Sequence, residues 1–366
     1  MPKLGEIIKA IEEFAPLHYQ ESYDNSGLLV GDIDHDISQA LITLDCTEAV
    51  IDEAIQKKCQ LVIAHHPILF SGLKSITGKN YVEKVMLKAI RNQIAIYAAH
   101  TNLDNVFHGV NLKIAEKLQL VDCSILEPKA KAIKQLYVYV PSAAADQVRK
   151  ALFLSGAGSI GQYSQCSYNI EGIGTYLPSN QANPYIGERN RYQEEKEVKI
   201  EVIYPTEKES QILQALRKSH PYEEIAYGMI PLDNANAYLG SGMIGQLSKE
   251  LSENAFLEHL KQHLNTQCIR HTAFLNKPIR KVAVCGGSGS FLLKKSIMAG
   301  ADAFVSADFK YHQFFDAEGQ ILIADVGHFE SEQFTCEIFY EVLSKLFPNF
   351  ALHLTSVNTN PIKYFN

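Results

Sequence analysis

The amino-acid sequence predicts an α/β protein in which a second, α+β domain is inserted into the core domain. Near both ends of the chain, short apolar runs suited to buried strands of a parallel sheet alternate with segments of helical apolar spacing. The middle of the chain instead contains two similar segments, each predicting an alternating strand, a proline turn and an amphipathic helix. We therefore expect residues 1–126 and 237–366 to form the core and residues 127–236 to form the insertion.

Composition narrows the class of protein. The 366 residues are 46% hydrophobic and 20% charged, which is typical of a soluble globular chain, and they suffice for two or three domains. The net charge of −7 argues against a general electrostatic interaction with nucleic acid. No apolar run approaches the ~20 residues that span a bilayer, and the N-terminus lacks the apolar region of a signal peptide. These features predict a cytoplasmic protein without a membrane segment.

The seven cysteines argue against a cysteine-based metal site. Their number is odd and no two are spaced as C-x-x-C, so we expect reduced, mostly buried thiols rather than a disulfide scaffold or a zinc finger. A metal site in this chain must therefore consist of His, Asp and Glu side chains.

The first 126 residues alternate between strands and helices. Consecutive strands joined by helices predict parallel pairing with right-handed crossovers. Thr47 is the expected N-cap of the second helix. The predicted elements are helices over residues 3–15, 48–57 and 81–91 and strands over residues 41–45, 61–64 and 94–99.

Two of these strands lead directly into histidines. His65 and His66 stand where one strand ends, and His100 and Asp104 follow the next strand. Because the carboxyl ends of parallel strands lie at one edge of a sheet, where ligands collect, we expect these side chains to be close together. The alternatives are a pair of solvent-exposed loop histidines and an Asp104 that merely caps the helix starting near Gly109.

The insertion has the pattern of a ferredoxin-like domain. Alternating strands over residues 136–141 and 198–205 are each followed by an amphipathic helix. This duplication predicts an antiparallel sheet with helices on one face. The polar segment from Ser179 to Glu197, between the two copies, predicts a solvated loop.

The α/β pattern resumes after a Gly-rich link at residues 240–245. His328 and Glu332 lie four residues apart at the start of the last helix, so they share one helix face. A helix N-terminus disfavours a protonated imidazole and favours a carboxylate, which suits metal ligands. The predicted elements are strands over residues 281–285, 303–306 and 321–324 and helices over residues 253–264, 291–299 and 325–346.

Three imidazoles and two carboxylates are thus expected at strand ends or at a helix start. Such a set exceeds the three protein ligands usual for one catalytic zinc and suits two divalent ions that share a bridging carboxylate. Nitrogen and oxygen ligands of this kind favour Zn²⁺, Mn²⁺ or Fe²⁺ over Ca²⁺. The alternative is a coincidence of unrelated polar residues. The candidate ligands are His65, His66, Asp104, His328 and Glu332.

The directions of the adjacent residues His65 and His66 predict how the five candidate ligands are shared between the two ions. Because adjacent residues of a strand point apart, His65 and Asp104 are expected to bind one ion and His66 and His328 the other, with Glu332 bridging. His100 is a candidate for orienting a ligand.

Two weaker signals lie in the last segment. The glycine turn at residues 286–290 could hold a phosphate, although a tight strand-to-helix connection is the commoner use. Lys310 and His312 are candidates for contacting an anionic substrate near the metals.

The outer segments carry short motifs in a distinctive order. They are Tyr-Asp-Asn-Ser-Gly-Leu (23–28), Thr-Leu-Asp (43–45), Ala-His-His-Pro (64–67), His-Thr-Asn-Leu-Asp (100–104), Gly-Ser-Gly (287–289), Asp-Phe-Lys-Tyr-His (308–312) and Gly-His-Phe-Glu-Ser-Glu (327–332). In this order they resemble the Nif3 family, whose members are often labelled GTP cyclohydrolase 1 type 2 homologues. The middle segment, with His-Pro-Tyr-Glu-Glu at 220–224, resembles the PII-like (CutA-like) insertion of longer members.

The resemblance implies a Nif3-like three-layer core and two divalent metal ions per chain at the five candidate ligands. Zinc is the first expectation for the ions, with iron and manganese as alternatives. The resemblance also implies a ring-shaped homohexamer whose metal sites face an internal cavity.

These observations lead to three functional hypotheses. The first is a metal-dependent hydrolase that acts on a nucleotide-like substrate such as GTP. The second is a non-enzymatic, metal-binding regulatory or scaffold ring whose PII-like domain binds a small molecule or a partner. The third is a ring that encircles nucleic acid, and the negative net charge argues against it.

Overall fold

The computed structural model of the protein describes residues 1–365, which form two compact units. The outer unit combines Met1–Pro128 with the chain from Ala237 onward, and the inner unit is Lys129–Asn236. The mixed α/β class predicted from the sequence is confirmed.

The first part of the outer unit contains five strands and five helices. The strands are β1 (Gly27–Val30), β2 (Gln39–Asp45), β3 (Leu61–His66), β4 (Ala95–Ala98) and β5 (Leu120–Pro128), and the helices are α1 (Leu4–Phe14), α2 (Glu48–Gln56), α3 (Tyr81–Arg91), α4 (Thr101–Asn105) and α5 (Val110–Lys117). The predicted N-cap of α2 is present, since the Thr47 side chain accepts a hydrogen bond from the backbone N–H of Val50.

The inner unit contains four strands and two helices, and the outer unit then resumes with six strands and four helices. The inner elements are β6 (Ile133–Pro141), α6 (Ala145–Leu154), β7 (Tyr168–Tyr176), β8 (Gln193–Pro205), α7 (Glu209–Ser219) and β9 (Tyr227–Leu232). The remaining outer elements are β10 (Gly240–Leu251), α8 (Glu253–His263), β11 (Arg270–His271), β12 (Ile279–Ser288), α9 (Leu293–Met298), β13 (Ala303–Ala307), β14 (Leu322–Asp325), α10 (His328–Glu332), α11 (Thr335–Leu346) and β15 (Ala351–Leu354).

Two sheets make up the outer unit. The first has the order β1-β4-β3-β2-β15, and the predicted parallel pairing of β2, β3 and β4 is confirmed. The second has the order β11-β14-β13-β12-β10-β5. Helix α11 packs on β2 and β3, α5 packs on β10 and β12, and the two helices contact each other. One apolar core therefore runs from the first sheet through a helical layer to the second sheet.

Two segments differ from their predictions. Residues 240–251, expected to begin with a Gly-rich link, form strand β10 between β5 and β12. Its glycines permit close approach of a neighbouring strand, because a Cβ at Gly240 would lie 2.2 Å from the backbone oxygen of Glu127. The single helix expected over residues 325–346 is divided into α10 and α11.

The inner unit is an antiparallel sheet with the order β7-β8-β6-β9. Helices α6 and α7 contact each other, and their apolar side chains share a core with the alternate residues Leu136, Val138 and Val140 of β6. The predicted loop over residues 179–197 ends early, because β8 begins at Gln193 and its charged residues pair with β7. Within residues 1–365, no helix packs on the other face of this sheet.

The described chain offers no membrane span. Its longest helix, α11, has 12 residues. None of the helices within residues 1–365 has the length and apolarity that a bilayer crossing requires. All seven cysteines are free, although Cys268 is exposed and only Cys46, Cys59 and Cys285 are buried.

The inner unit is expected to be removable. Strands β5 and β10 are antiparallel neighbours that pair Pro128 with Gly240, so the inner unit replaces a hairpin connection. Replacing residues 129–236 by about four Gly/Ser residues should leave a soluble, cooperatively folding outer unit. Circular dichroism and urea unfolding measure this, and an insoluble or non-cooperative product would show that the boundary is wrong.

Candidate metal centre

The five predicted ligands reach one place from three parts of the outer unit. His65 and His66 are the last residues of β3, and Asp104 lies in α4, the short helix after β4. His328 and Glu332 are the first and last residues of α10, which follows β14. Strands from both sheets therefore direct side chains to a common centre, as parallel strand ends do in α/β folds.

The Glu332 carboxylate lies at the middle of this centre. Its Oε2 atom is 2.9 Å from His66 Nε2 and 3.0 Å from His328 Nε2. The same oxygen is 3.9 Å from His65 Nε2. Glu332 is only 3% exposed, so its charge depends on these neighbours rather than on water.

The ligand atoms form two groups that share Glu332. One group is His66, His328 and Glu332, and the other is His65, Asp104 and Glu332. Within each group the ligand atoms lie within 4.8 Å of one another. This division is the one expected from the opposite directions of neighbouring strand residues.

The second group contains two buried atoms without a hydrogen-bond partner. His65 Nε2 and Asp104 Oδ1 face each other at 3.6 Å. The other nitrogen of His65, Nδ1, donates to the carbonyl oxygen of Ala99 at 2.8 Å, so Nε2 carries a lone pair. A ring-nitrogen lone pair and a carboxyl oxygen that face each other without a hydrogen bond leave space for a cation, and this arrangement fits a divalent metal ion.

Three further acidic residues hold the outer nitrogens of the histidines. His66 Nδ1 donates to Asp45, and His328 Nδ1 donates to Asp308, both at 2.7 Å. His100 Nδ1 donates to Asp24 at 2.8 Å. Such bonds fix the ring orientation and direct Nε2 inward, which is how proteins prepare imidazoles for metals.

Sequence analysis did not identify Asp24, Asp45 and Asp308 as functional. Asp45 is the last residue of β2 and Asp308 follows β13, so the same rule of strand ends would have selected both. Asp24 precedes β1 within a turn-forming stretch. Its role as a hydrogen-bond acceptor for His100 and Thr101 is visible only from the structure.

His100 lies closer to the centre than an orienting role requires. It forms a third group of converging ligand atoms with His65 and His66, and its ring centroid is 5.3 Å from each of theirs. The predicted proximity of His100 is present, and its ring also belongs to a group of converging ligand atoms.

Burial and charge shift the pKa values of the centre in opposite directions. Burial lowers the pKa of His65 to about 3, so this imidazole is neutral. Burial also disfavours charge on His66 and His328, but the adjacent carboxylates outweigh it and raise their pKa values to about 9 and about 11. Burial, followed by the charge of Glu332, raises the pKa of Asp104 to about 7. The raised pKa values of His66 and His328 follow from an excess of negative charge around them. Bound divalent cations would neutralise this charge in place of the two protons.

Two alternatives from the sequence are wrong. Helix α5 has Gly109 as its N-cap without a side-chain bond, so Asp104 does not cap it. His65 is fully buried, so the two histidines are not exposed loop residues. Lys310 and His312 are exposed, and their contact with an anionic substrate stays a prediction.

The glycines at the end of β12 have a steric role in the candidate metal centre. Gly287 has a φ of +58°, and a Cβ at this position would lie 2.4 Å from Glu332 Oε1 and 3.0 Å from His328 Cε1. Glycine is therefore required both by the left-handed backbone and by the close approach of the two side chains.

Comparison with known proteins identifies the family. The family model described as Duf34/NIF3 (NGG1p interacting factor 3) matches residues 2–361. The chain belongs to the Duf34/NIF3 family. This Duf34/NIF3 chain is 39% identical over 326 residues to the "GTP cyclohydrolase 1 type 2 homolog" of Bacillus subtilis, covering 88% of this chain and 87% of the relative.

Two further relatives extend over the whole Duf34/NIF3 chain. The Staphylococcus epidermidis protein with the same name is 34% identical over 367 residues, covering 99% of this chain and all of the relative. A crystal structure of a Bacillus cereus protein related to NIF3 superposes with a TM-score of 0.85 at 38% identity, covering 100% of this chain and 99% of the other. The family resemblance predicted from the motifs is confirmed.

Substituting Gly287 by Ala should disturb the metal centre of this Duf34/NIF3 protein. The matched control is Gly300→Ala, because Gly300 also has a positive φ, +71°, but open space around its Cβ position. Both variants should lose about 1 kcal/mol of unfolding free energy from backbone strain. Only Gly287→Ala should additionally displace Glu332 and weaken Zn²⁺ binding, measured by competition with a chromogenic chelator. Equal Zn²⁺ affinity in the two variants would contradict this geometry.

Proposed function

We propose that this Duf34/NIF3 protein binds two divalent metal ions and uses them to hydrolyse a nucleotide-like substrate. One ion would be held by His65, Asp104 and Glu332 and the other by His66, His328 and Glu332. The observation that carries the proposal is the position of Glu332, whose buried carboxylate belongs to both groups of ligand atoms.

The balance of charge supports two ions rather than one. Glu332, Asp104, Asp45 and Asp308 bring four carboxylates to the centre, and no lysine or arginine forms an ion pair with any of them within residues 1–365. Two divalent cations would balance the four negative charges. The shared carboxylate would lie between the cations and reduce their mutual repulsion. The imidazole and carboxylate donors suit Zn²⁺ first, with Fe²⁺ and Mn²⁺ as alternatives.

The side chains around the centre have distinct tasks. Bound divalent ions supply Lewis-acid chemistry, activating water and polarising an oxygen of the substrate. Asp45 and Asp308 keep the Nε2 atoms of His66 and His328 directed inward, because each accepts a hydrogen bond from the opposite ring nitrogen. The Ala99 carbonyl does the same for His65.

Support for the substrate class comes from the relatives' names. The proteins from Bacillus subtilis and Staphylococcus epidermidis are named as homologues of GTP cyclohydrolase 1 type 2. We therefore propose a purine nucleotide such as GTP as the first substrate to test.

We also propose that the protein is a cytoplasmic homohexamer with a PII-like inner unit. Seven free cysteines fit a reducing compartment. The β-α-β-β-α-β succession of the inner unit, with its sheet order β7-β8-β6-β9, supports a ferredoxin-like fold of the PII-like type.

A second candidate function is a metal-binding regulatory or scaffold protein without turnover. The observation that favours it is a cavity in the inner unit, built from residues of that unit alone. In this alternative the inner unit senses a small molecule and the metals stabilise the fold.

Glutamine at position 332 should reduce the number of bound metals. Glu332→Gln removes the charge that both groups share, so we expect fewer than two ions per chain after dialysis against a weak chelator, whereas the wild type keeps two. His65→Ala should empty chiefly one site, because His66 and His328 remain. Elemental analysis per chain provides the measurement.

A nearby glutamate provides the matched control for this experiment. Glu330 is also buried and lies on the same helix, but it accepts a hydrogen bond from Asn360 and takes no part in either group. Glu330→Gln should therefore keep the wild-type metal content. Two ions per chain in Glu332→Gln, or an equal loss in Glu330→Gln, would refute the bridging role.

Turnover distinguishes the hydrolase from the regulatory protein. Metal-reconstituted wild-type protein should convert at least one member of a panel of purine and pyrimidine nucleotides. Asp45→Asn and Asp308→Asn should lower that rate by about 10- to 100-fold, because they release the orientation of His66 and His328. Product formation is followed by chromatography. Absence of turnover with every nucleotide in fully metal-loaded protein would favour the regulatory function.

A further inference from the structure

A large cavity lies on the face of the inner sheet that carries no helix. Its volume is about 770 Å³, within the range typical of sites for small organic ligands. Residues of β6, β7 and β8 form its floor, and segments 177–185 and 222–226 form its walls. The cavity lies wholly within the inner unit and is separate from the metal centre.

A buried carboxylate forms part of the cavity lining. Glu197 of β8 is only 9% exposed. Its Oε1 atom accepts a hydrogen bond from the Tyr222 hydroxyl at 2.9 Å, whereas Oε2 has no hydrogen-bond partner within residues 1–365. No cationic side chain of that range forms an ion pair with Glu197. Its second oxygen is therefore available to a cation or donor that enters the cavity, and hydrogen bonds to a charged carboxylate are the stronger kind.

Two glycines keep the floor beside this carboxylate open. A Cβ at Gly174 would lie 2.1 Å from Glu197 Oε2, so only glycine leaves room for the carboxylate in its position. Gly172 pairs directly with Glu197 across the two strands, and a Cβ there would meet nothing within 4 Å. The space above Gly172 is therefore available to a ligand.

Tyrosine rings surround the same space. The centroids of Tyr176 and Tyr185 each lie 6.3 Å from that of Tyr222. The Tyr176 hydroxyl donates to the carbonyl oxygen of Ile186 at 2.8 Å, which ties the covering loop to the sheet. Aromatic faces next to a carboxylate attract organic cations through the ring quadrupole and through charge.

The remaining charges around the cavity are mainly negative. Lys199 contributes to the lining, but its ammonium group pairs with Glu201 at 2.5 Å. Glu223 and Glu224 also line the cavity. Glu223 accepts a hydrogen bond from the backbone N–H of Asn183, which leaves its charge uncompensated by a cation.

We propose that this cavity binds a small organic cation, a primary ammonium or guanidinium compound with an apolar body. The cationic group would lie against Glu197 Oε2 among Tyr176, Tyr185 and Tyr222. The apolar body would lie along Ile170 and Leu177, large side chains that line the cavity and are exposed in the described chain. Binding there does not depend on metals or on hydrolysis.

The test compares a cation with its neutral counterpart of the same shape. Isothermal titration of the full chain with 2-phenylethylammonium, a primary ammonium, and with agmatine, which carries an ammonium and a guanidinium group, should show binding of at least one of them. The neutral 2-phenylethanol should bind at least about tenfold more weakly than 2-phenylethylammonium, since it lacks the charge that Glu197 attracts.

Variants locate the binding site. Glu197→Gln keeps the hydrogen-bond acceptor for the Tyr222 hydroxyl but removes the negative charge. This variant should bind the cation with at least tenfold lower affinity. Gly172→Leu should fill the open space and abolish binding. Glu194→Gln, which removes the same charge from a strand residue outside the lining, should bind as the wild type does.

Four results would overturn the proposal. They are the absence of binding with both cations, equal affinity for 2-phenylethanol and 2-phenylethylammonium, unchanged affinity in Glu197→Gln, and equal losses in Glu194→Gln and Glu197→Gln. A change of assembly state in Gly172→Leu without loss of cation binding, seen by sedimentation velocity, would instead assign the surface to contacts between copies of the chain.

Discussion

The candidate metal centre depends on one buried carboxylate, that of Glu332. Its oxygen contacts imidazoles from positions 66 and 328, which are 262 residues apart in the chain. A charge buried to this degree is stable only beside positive charge, supplied by protonated histidines or by metal ions. The two sheets of the outer unit bring these opposite charges together, so the same contact links the fold to its proposed chemistry.

The architecture explains how distant segments supply one centre. Parallel strands β2, β3 and β4 end at one edge of the first sheet, and β13 and β14 end at the corresponding edge of the second. Helices α5 and α11 pack between the sheets and fix their separation. The chain leaves this core at β5 and returns at β10, an antiparallel pair, which allows the inner unit to be inserted without altering the strands that carry ligands.

The sequence predicted the parts of this structure that depend on local patterns. Continuous apolar runs located β2, β3 and β14, and apolar residues at helical spacing located α3 to the residue, Tyr81–Arg91. The convergence of His65, His66, Asp104, His328 and Glu332 was predictable because strand ends of parallel sheets meet. Strand β10 was not predicted because its glycines are typical of a flexible link. In the structure these glycines instead allow neighbouring strands to approach closely.

Other features depend on contacts that no local pattern encodes. The contacts of Asp24 with His100 and Thr101, the steric requirement at Gly287 and the inward position of His100 all arise from residues far apart in sequence. The same holds for the cavity of the inner unit. Glu197 belonged to a charge run typical of a solvated loop, yet strand pairing with β7 and the Tyr222 hydroxyl bury it.

Anomalous scattering from crystals of protein loaded with Zn²⁺ alone tests most directly whether Glu332 is shared by two ions. Data collected on both sides of the zinc absorption edge locate each ion and count the ions per chain. We expect two peaks, one on each side of the Glu332 carboxylate, with one next to His65 and Asp104 and the other next to His66 and His328. A single peak, or two peaks that do not share Glu332, would contradict this expectation.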